Sequence, residues 1–418
     1  MRIVKIFIGM IVFVSSIVLL STAFADQSVA PLTLQEAYQL ALKQSEQIAS
    51  KQQLIKEAEG QFLQSLSGVL PKVAFNYDQT YKENAHQSQL GRFTLSQPLF
   101  SGFKEFAAIS GAKAQQRQRK FEIFRAQQLL FIDVADSFYL YWLHLKDQEV
   151  VTGVVKALQD QANALEERVK LGRARRSELT ASQARLAKKN AELIQIQTDS
   201  QVAKSLLEFL IGMPLDRSID GDKLPVSSSR DLKAYVDLAN KRSDVLASQE
   251  AVLVMRKKIS VAQAGFWPKV SLDGDYYTKK TSSTPQDWDV TLKFEVPLFQ
   301  GGENLGNVRT ANAQYEQSTL LAAETKRRAI MEVTQALAQW EGAVKRRDAF
   351  ELAANLSKQN YELQLEDYGH QQINIIDLLQ SLADWEESQR DYLSAQSDAV
   401  RAWWNLKVKA GDIDNVSC

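Results

Sequence analysis

The feature that most constrains this chain is an internal duplication with a period close to 200 residues. Leu-Pro-Lys-Val at 70–73 returns as Trp-Pro-Lys-Val at 267–270, an offset of 197 residues. Pro-Leu-Phe at 98–100 returns at 297–299, an offset of 199 residues. Because these landmarks agree in order and nearly in spacing, they predict two structural repeats built on one plan.

The predicted boundaries follow from this duplication and from the segment that interrupts it. A stretch rich in Asp, Gly, Pro and Ser lies between the repeats and is typical of a linker. The chain is predicted to consist of a signal peptide at 1–25, a first repeat at 26–213, a linker at 214–229, a second repeat at 230–411 and a C-terminal tail at 412–418.

Proline placement predicts that most of each repeat is helical. The eight prolines of the 418-residue chain leave two long proline-free stretches, 99–213 and 298–418. Proline in a helix interior costs about 3 kcal/mol, and both stretches are rich in good helix formers. Apolar residues spaced three, four and seven apart predict that each stretch forms an antiparallel coiled-coil hairpin. The hairpin turns are predicted at Gly172 and Gly369, which are again 197 residues apart.

Each repeat is predicted to contain the same series of elements. The longest helix of each would extend about 100 Å, which exceeds the core of an ordinary globular domain. The predicted helices are 33–68, 103–171 and 174–211 in the first repeat and 230–266, 302–368 and 371–409 in the second. The predicted strands are 72–82 and 92–100 in the first repeat and 269–279 and 288–299 in the second.

In the four predicted strands, apolar residues alternate with polar ones. Trp288, Val290 and Leu292, for example, alternate with Asp289 and Thr291. Strands of about ten residues with one apolar face, one polar face and many aromatic residues are typical of membrane barrels. The periodicity alone leaves open two soluble β-hairpins whose apolar face packs against helices. The barrel interpretation predicts an aromatic girdle of Phe75, Tyr77, Tyr81, Phe93, Tyr276, Trp288 and Phe294.

Four strands cannot close a membrane barrel, and open strand edges are not tolerated in hydrocarbon. The barrel interpretation therefore requires that two, three or four chains share eight, twelve or sixteen strands. Because long helices continue from the strands, the sequence predicts an oligomeric conduit with a polar lumen.

The first 25 residues are predicted to direct export. Arg2 and Lys5 precede an apolar run at 6–20, and Ala-Phe-Ala at 23–25 is a small-x-small cleavage site. The apolar run is shorter than the roughly 20 residues that span a bilayer as a helix. Removal of the segment leaves 48 basic and 50 acidic residues, a net charge of −2.

Composition and motifs argue against nucleic acid, a metal centre and an enzyme. The full chain has 50 basic and 50 acidic residues, whereas nucleic-acid-binding domains are usually basic. The single cysteine, Cys418, excludes an internal disulfide, and the three histidines lack the spacing of metal ligands. The sequence has no phosphate-loop or nucleophile motif. We therefore predict no catalytic residues, cofactor or metal; the alternative to a conduit is a periplasmic coiled-coil protein of structural or adaptor-like function.

These features resemble the TolC family of outer-membrane efflux and secretion ducts, over residues 32–411. The resemblance rests on the duplicated order of LQEA at 34–37, QPLFSG at 97–102, LLEFLIGMP at 206–214 and VPLFQGG at 296–302. It implies a mainly α fold with a membrane β-barrel portion, in which a homotrimer shares a 12-stranded barrel and a twelve-helix periplasmic tunnel. The implied function is a passive outer-membrane exit duct of a tripartite efflux or type I secretion system.

The resemblance also implies partners and site residues. The partners are outer-membrane lipids, a periplasmic adaptor protein and an inner-membrane transporter of the RND, ABC or MFS type. Asp377 and Gln380 are expected at the pore constriction, where Gln380 replaces an acid that the family often has. Ser177 is expected to cap the helix after the first turn. The expected adaptor contacts at the periplasmic tip are Gly172, Arg173, Arg175, Arg176, Ser177, Glu178, Tyr368 and Gly369.

Overall fold

The computed structural model describes residues 30–81, 88–221, 231–370 and 372–413. The predicted signal peptide, the second half of the predicted linker (222–229) and the end of the predicted tail lie outside these residues. The helices are α1 (Leu34–Gln44), α2 (Glu46–Leu66), α3 (Lys104–Lys170), α4 (Arg176–Ile211), α5 (Leu232–Ala239), α6 (Ser243–Gln263), α7 (Glu303–Gly369) and α8 (Ile375–Ala410). The strands are β1 (Lys72–Thr80), β2 (Ser88–Ser101), β3 (Lys269–Lys279) and β4 (Trp288–Glu295).

The two helical hairpins have equal dimensions. Helices α3 and α7 each contain 67 residues, and α4 and α8 each contain 36. A helix of that greater length extends about 100 Å. None of the described helices is long and apolar enough to cross a membrane.

The first helix of each repeat was predicted to be continuous, and this prediction is wrong. Ser45 ends α1, and its hydroxyl caps α2 by accepting a hydrogen bond from the Ile48 amide at 3.3 Å. In the second repeat the break falls at residues 240–242, between α5 and α6. Serine and asparagine compete with the helix for backbone hydrogen bonds, so they favour helix ends over interiors.

Three strands have bounds that differ from the prediction. β1 ends at residue 80 rather than 82, β2 spans 88–101 rather than 92–100, and β4 ends at 295 rather than 299. β2 is longer because it pairs with the whole length of β1. β4 stops short of Pro297, whose nitrogen has no hydrogen to donate to a strand ladder.

The two hairpins correspond at an offset of 199 residues rather than 197. The last residues of the long helices, Lys170 and Gly369, are 199 apart. The counterpart of Gly172 is therefore Gln371, which lies outside the described residues, and the predicted pairing of Gly172 with Gly369 is wrong. The second repeat has two more residues between its two prolines at the strands, which accounts for the shift.

The helices form one layer with two unpaired edges. α3 packs against α2 and α6 near the strands and against α4 and α8 near the turns, and α7 packs against α6 and α8. The resulting order is α2–α3–α6–α7 beside the strands and α4–α3–α8–α7 towards the turns. α3 has neighbours on both sides and buries twenty residues, whereas α7, of the same length, buries seven.

The largest buried clusters lie where the short helices α1 and α5 pack across this layer. Tyr38 of α1 meets Phe131 of α3 edge-to-face, with ring centroids 5.0 Å apart. Tyr235 of α5 is fully buried against Val333 of α7 and Leu406 of α8. The short helices therefore thicken the layer midway along its length, each packing mainly on the hairpin of its own repeat.

The four strands form one antiparallel sheet in the order β1-β2-β3-β4. β2 and β3 pair directly, so the sheet joins the two repeats. β1 and β4 are its edges, and each lies on the same side as an unpaired edge of the helical layer.

Candidate channel wall and helical tip

One face of the sheet carries a continuous row of aromatic side chains. Phe75 pairs with Phe93, Phe93 with Tyr276, and Tyr276 with Trp288, so four predicted girdle residues lie side by side across all four strands. The rings of Phe75 and Phe93 are 4.9 Å apart, and all four side chains are exposed. Because this face is apolar and no described residue covers these side chains, it has the character of a lipid-facing surface.

The remaining predicted girdle residues lie elsewhere. Tyr77 is on the same face, one pair closer to the hairpin end, and the Lys279 ammonium lies 5.7 Å from its ring centroid. Tyr81 follows β1 and its hydroxyl accepts a hydrogen bond from Gln79. Phe294 pairs with Val270 at the helix end of the sheet. The predicted girdle residues therefore lie at two heights of the sheet. Phe294 is near the helices, and the others are nearer the hairpin end.

The opposite face of the sheet is polar and linked across the strands. The Asn76 amide donates to the Thr94 hydroxyl at 3.1 Å, and Thr94 donates to Asp275 at 2.6 Å. Asp273 accepts from Ser96 at 2.6 Å and pairs with Lys293 at 2.8 Å. A wall with this chemistry suits an aqueous lumen.

A second aromatic group, which the sequence analysis missed, lies where the sheet meets the helices. Phe103 and Phe106 at the start of α3 are exposed, as is Trp267 before β3. Phe100 packs edge-to-face against Phe103, with centroids 5.3 Å apart. The signal is visible in the sequence as three phenylalanines spaced three residues apart at the junction.

Phe103 also adopts an unusual backbone conformation. Its φ is 60°, the one positive φ of a non-glycine residue within the described parts of the chain, and its counterpart is Gly302 with φ 90°. A left-handed conformation costs a residue with a side chain roughly 1–2 kcal/mol. The contacts with Phe100 and Phe106 offset part of this cost.

The first tip turn is closed by the backbone alone. Gly172, with φ 70°, donates to the Val169 carbonyl at 3.0 Å, and the Arg173 amide donates to the Arg168 carbonyl at 2.7 Å. This pair of bonds is the Schellman ending, which favours glycine at the left-handed position. Gly172 is therefore explained by its conformation.

The predicted cap by Ser177 is wrong. α4 begins at Arg176, so Arg175 occupies the capping position and makes no side-chain cap. Glu178 lies in the first turn, where a carboxylate is favoured by the helix dipole. In the second turn Asn374, which the sequence analysis missed, accepts hydrogen bonds from the amides of the next helical turn at 2.8 and 3.1 Å.

Arg173, Arg175 and Arg176, which we call the tip arginines, are exposed at the end of the first hairpin. None of them makes an ion pair with any described residue. Ser177 beside them is exposed as well, and Glu178 is half-buried.

The two hairpins contact each other directly behind the turns. The buried cluster there joins Leu158 and Leu165 of α3 to Leu378 and Leu382 of α8, among others. The Arg168 guanidinium lies over the ring of Tyr368 at 5.3 Å and donates to its hydroxyl at 3.2 Å. Tyr368 thus links the hairpins, while Gly369 is exposed at the end of α7.

Asp377 and Gln380 are both exposed on one face of α8. Gln380 donates to Asp384 at 2.8 Å, so an acid follows one turn further along. Asp377, Asp384, Asp391 and Asp398 recur every seven residues, opposite the buried face of α8. Although position 380 is glutamine, Asp377 and Asp384 supply negative charge on this face of α8.

An ion network joins the hairpins farther from the tip. Lys189 of α4 binds Glu386 of α8 and Glu192 of α4, both at 2.7 Å, and Glu386 is buried. Arg390 of α8 binds Asp147 of α3 at 2.5 Å and also Glu192. Burial disfavours the charged form of Lys189, but hydrogen bonds to Glu192 and Glu386 outweigh this effect and raise its pKa.

A metal site is not visible in the described part of the chain, because no three His, Cys, Asp or Glu side chains come close enough to hold an ion.

The model of the family described as "Outer membrane efflux protein" matches residues 37–213 and 234–412. The chain belongs to the outer membrane efflux protein family. The two matched segments correspond closely to the two repeats.

Individual outer membrane efflux relatives are distant but span much of the chain. The proteases secretion protein PrtF of Dickeya chrysanthemi is 22% identical over 93% of this chain and 90% of its own length. The cation efflux system protein CusC of Escherichia coli K12 is 22% identical over 56% of this chain. The chain spans about half the length of CusC, 54%.

Solved outer-membrane channels share the fold. The Neisseria gonorrhoeae outer membrane channel MtrE matches with a TM-score of 0.76 at 20% identity, covering 92% of this chain and 90% of that one. The outer membrane protein VceC of Vibrio cholerae matches with a TM-score of 0.78 at 21% identity, covering 90% and 96%. The mainly α fold with four antiparallel strands is therefore that of outer-membrane channel subunits.

Proposed function

We propose that this chain is one subunit of a homotrimeric outer-membrane duct, through which a tripartite efflux or secretion system releases its cargo. Three four-stranded sheets close into a 12-stranded barrel, and three helical layers close into a periplasmic tunnel. The duct is passive and has no enzymatic activity; the inner-membrane transporter supplies the energy.

The observation that carries this proposal is the pair of matching open edges. The sheet ends in unpaired β1 and β4, and the helical layer ends in α2 and α4 on one side and α7 on the other. Helices α7 and α4 carry exposed apolar residues at these open edges. A second copy of the chain, packed edge to edge against the first, would bury them. They include Leu320, Leu352, Leu356 and Leu363 of α7 and Ile194, Val202 and Phe209 of α4.

Membership of the outer membrane efflux protein family and the two-faced sheet support the location. The aromatic row of the sheet faces outer-membrane lipids, and the polar network of Asn76, Thr94, Asp273 and Asp275 faces the lumen. Two, three or four copies would each satisfy closure; the resemblance to the TolC family favours three.

The tip performs two tasks in this proposal. The tip arginines and the backbone at Gly172 and Gly369 contact the adaptor, which presents acidic groups to them. Asp377 and Asp384 line the constriction, where symmetry-related carboxylates attract cations. Tyr368 contributes by holding the second hairpin against Arg168 rather than by direct contact with the adaptor.

Membrane fractionation and bilayer conductance test this function. The protein is expected to stay in the outer-membrane pellet after a high-salt wash and, once purified, to produce discrete conductance steps in planar bilayers. Recovery in the soluble periplasm would support a periplasmic coiled-coil protein instead. A membrane-bound protein without conductance would contradict the duct.

A further inference from the structure

A cavity of about 480 Å³ lies on the surface of the helical layer between α2, α3, α6 and α7. Leu129 of α3 lines the cavity. Phe131, two residues further along the same helix, packs on Tyr38 of α1. Two residues correspond to a rotation of about 200° around a helix, so Leu129 and Phe131 point to opposite sides of α3. The cavity is therefore on the side of the layer that α1 does not cover. It adjoins the point where α8 ends and α6 begins.

A buried guanidinium lines this cavity. Arg125 is 9% exposed, and its Nη1 donates to the Gln128 side chain at 3.2 Å and to the Val408 carbonyl at 3.1 Å. Its Nε lies 3.9 Å from Asp244, beyond hydrogen-bond distance. Among the described residues, no group accepts a hydrogen bond from its Nη2. The side chain therefore keeps donor capacity unused next to an open space.

The nearest carboxylate is already bound to another cation. Arg242 holds Asp244 through two hydrogen bonds of 2.7 Å and also binds Glu332 at 2.8 Å. Burial and repulsion from Arg242 lower the pKa of Arg125. Asp244 is therefore shared between two cations and lies 3.9 Å from Arg125, so an anion from outside the chain would add compensating charge beside this buried guanidinium.

The other walls of the cavity suit an anion with an apolar body. Lys51 of α2 adds a second positive charge, and Leu129, Ala247 and Ala251 supply apolar surface. The acid at the rim, Glu122, is engaged by Gln118 and Arg119, each at 2.8 Å.

We propose that this cavity is a binding site for small organic anions. The carboxylate or phosphate of the ligand binds Arg125 and Lys51, and its apolar part lies against Leu129, Ala247 and Ala251. The site is independent of the proposed function: failure to bind an anion leaves the duct intact, and failure to form a duct leaves the site intact.

Isothermal titration calorimetry of the full-length, detergent-solubilised protein tests the site with benzoate and with benzamide, its neutral analogue. Benzoate is expected to bind saturably, one molecule per chain, and benzamide at least tenfold more weakly. Arg125→Gln should weaken benzoate binding at least tenfold. Arg117→Gln, which removes an exposed arginine of the same helix outside the cavity, should leave binding unchanged.

A second variant keeps the test decisive if Arg125→Gln does not fold. Ser248→Leu fills the cavity while retaining Arg125, and it is expected to abolish saturable benzoate binding. Equal affinity for benzoate and benzamide, full binding by Arg125→Gln or by Ser248→Leu, or no saturable binding to the native protein would overturn the proposal.

Discussion

Replacing Arg242 with methionine is expected to destabilise the helical layer more than any exposed substitution. Its side chain is 1% exposed and joins three helices. It binds Asp244 in α6 through two hydrogen bonds, Glu332 in α7 through one, and the Lys409 carbonyl in α8 at 3.0 Å. Methionine retains much of the volume but none of these bonds.

The magnitude follows from what the substitution leaves behind. Removing one partner of a buried ion pair costs about 3–5 kcal/mol, because the other charge stays buried without compensation. Glu332 keeps Lys409 at 3.5 Å and Asp244 keeps Arg125 at 3.9 Å. We therefore expect a loss near the lower limit, about 3 kcal/mol in the free energy of unfolding.

The pH dependence has a defined sign. Burial would raise the pKa of Asp244, but hydrogen bonds and the charge of Arg242 outweigh it and lower that pKa. The stabilisation is thus complete above the pKa of an unfolded aspartate, about 3.9, and is lost as the pH falls through the lower folded value. The Arg242→Met variant should show less of this loss below pH 4.

The assay is guanidinium unfolding of the solubilised protein, followed by helical circular dichroism. Ser45 occupies the matching position of the first repeat, where its hydroxyl caps α2, and Ser45→Ala should cost only about 1 kcal/mol. Arg242→Lys, which keeps the charge but not the two-pronged geometry, should lie between the two. The reasoning is refuted if Arg242→Met is no less stable than Ser45→Ala.

Three further predictions concern the tip and the membrane junction. In bilayers, Asp377→Asn should reduce cation selectivity, measured as reversal potential, more than Asp391→Asn farther from the turn; equal effects would remove Asp377 from the constriction. Reversing the tip arginines to glutamate should reduce adaptor cross-linking by more than half, and unaltered cross-linking, as expected for Lys188→Glu, would refute the contact. Phe103→Gly should be more stable than Phe103→Ala by roughly 1 kcal/mol in chemical unfolding, because alanine retains the left-handed strain; equal stabilities would disprove that strain.

The architecture was predictable because each element has a characteristic local pattern in the sequence. Alternation of apolar and polar residues identified the strands, and the absence of proline over more than 100 residues identified the hairpins. Because the two repeats share one plan, an element assigned in one repeat also predicted its counterpart in the other. Even the aromatic row could be anticipated in its members, since Phe75, Phe93, Tyr276 and Trp288 all occupy apolar strand positions.

The details that failed depend on contacts between distant residues or on a shift of two positions. Ser177 had the right residue type for a cap but is the second residue of the helix, two positions past the cap, and Asn374 does the capping in the other hairpin. The hydrogen-bond partners of Arg390, Asp147 and Glu192, lie on two other helices, nearly 200 residues or more away in the sequence. No pattern in a single segment predicts such an ion network.

The most direct test of the shared duct is the native mass of the detergent-extracted protein. A mass of several mature chains is required, because the edges β1 and β4 must pair between copies for the barrel to close. The resemblance to the TolC family predicts three. A stable monomer that retains its strands would contradict the account, since the sheet would then have open edges in the membrane.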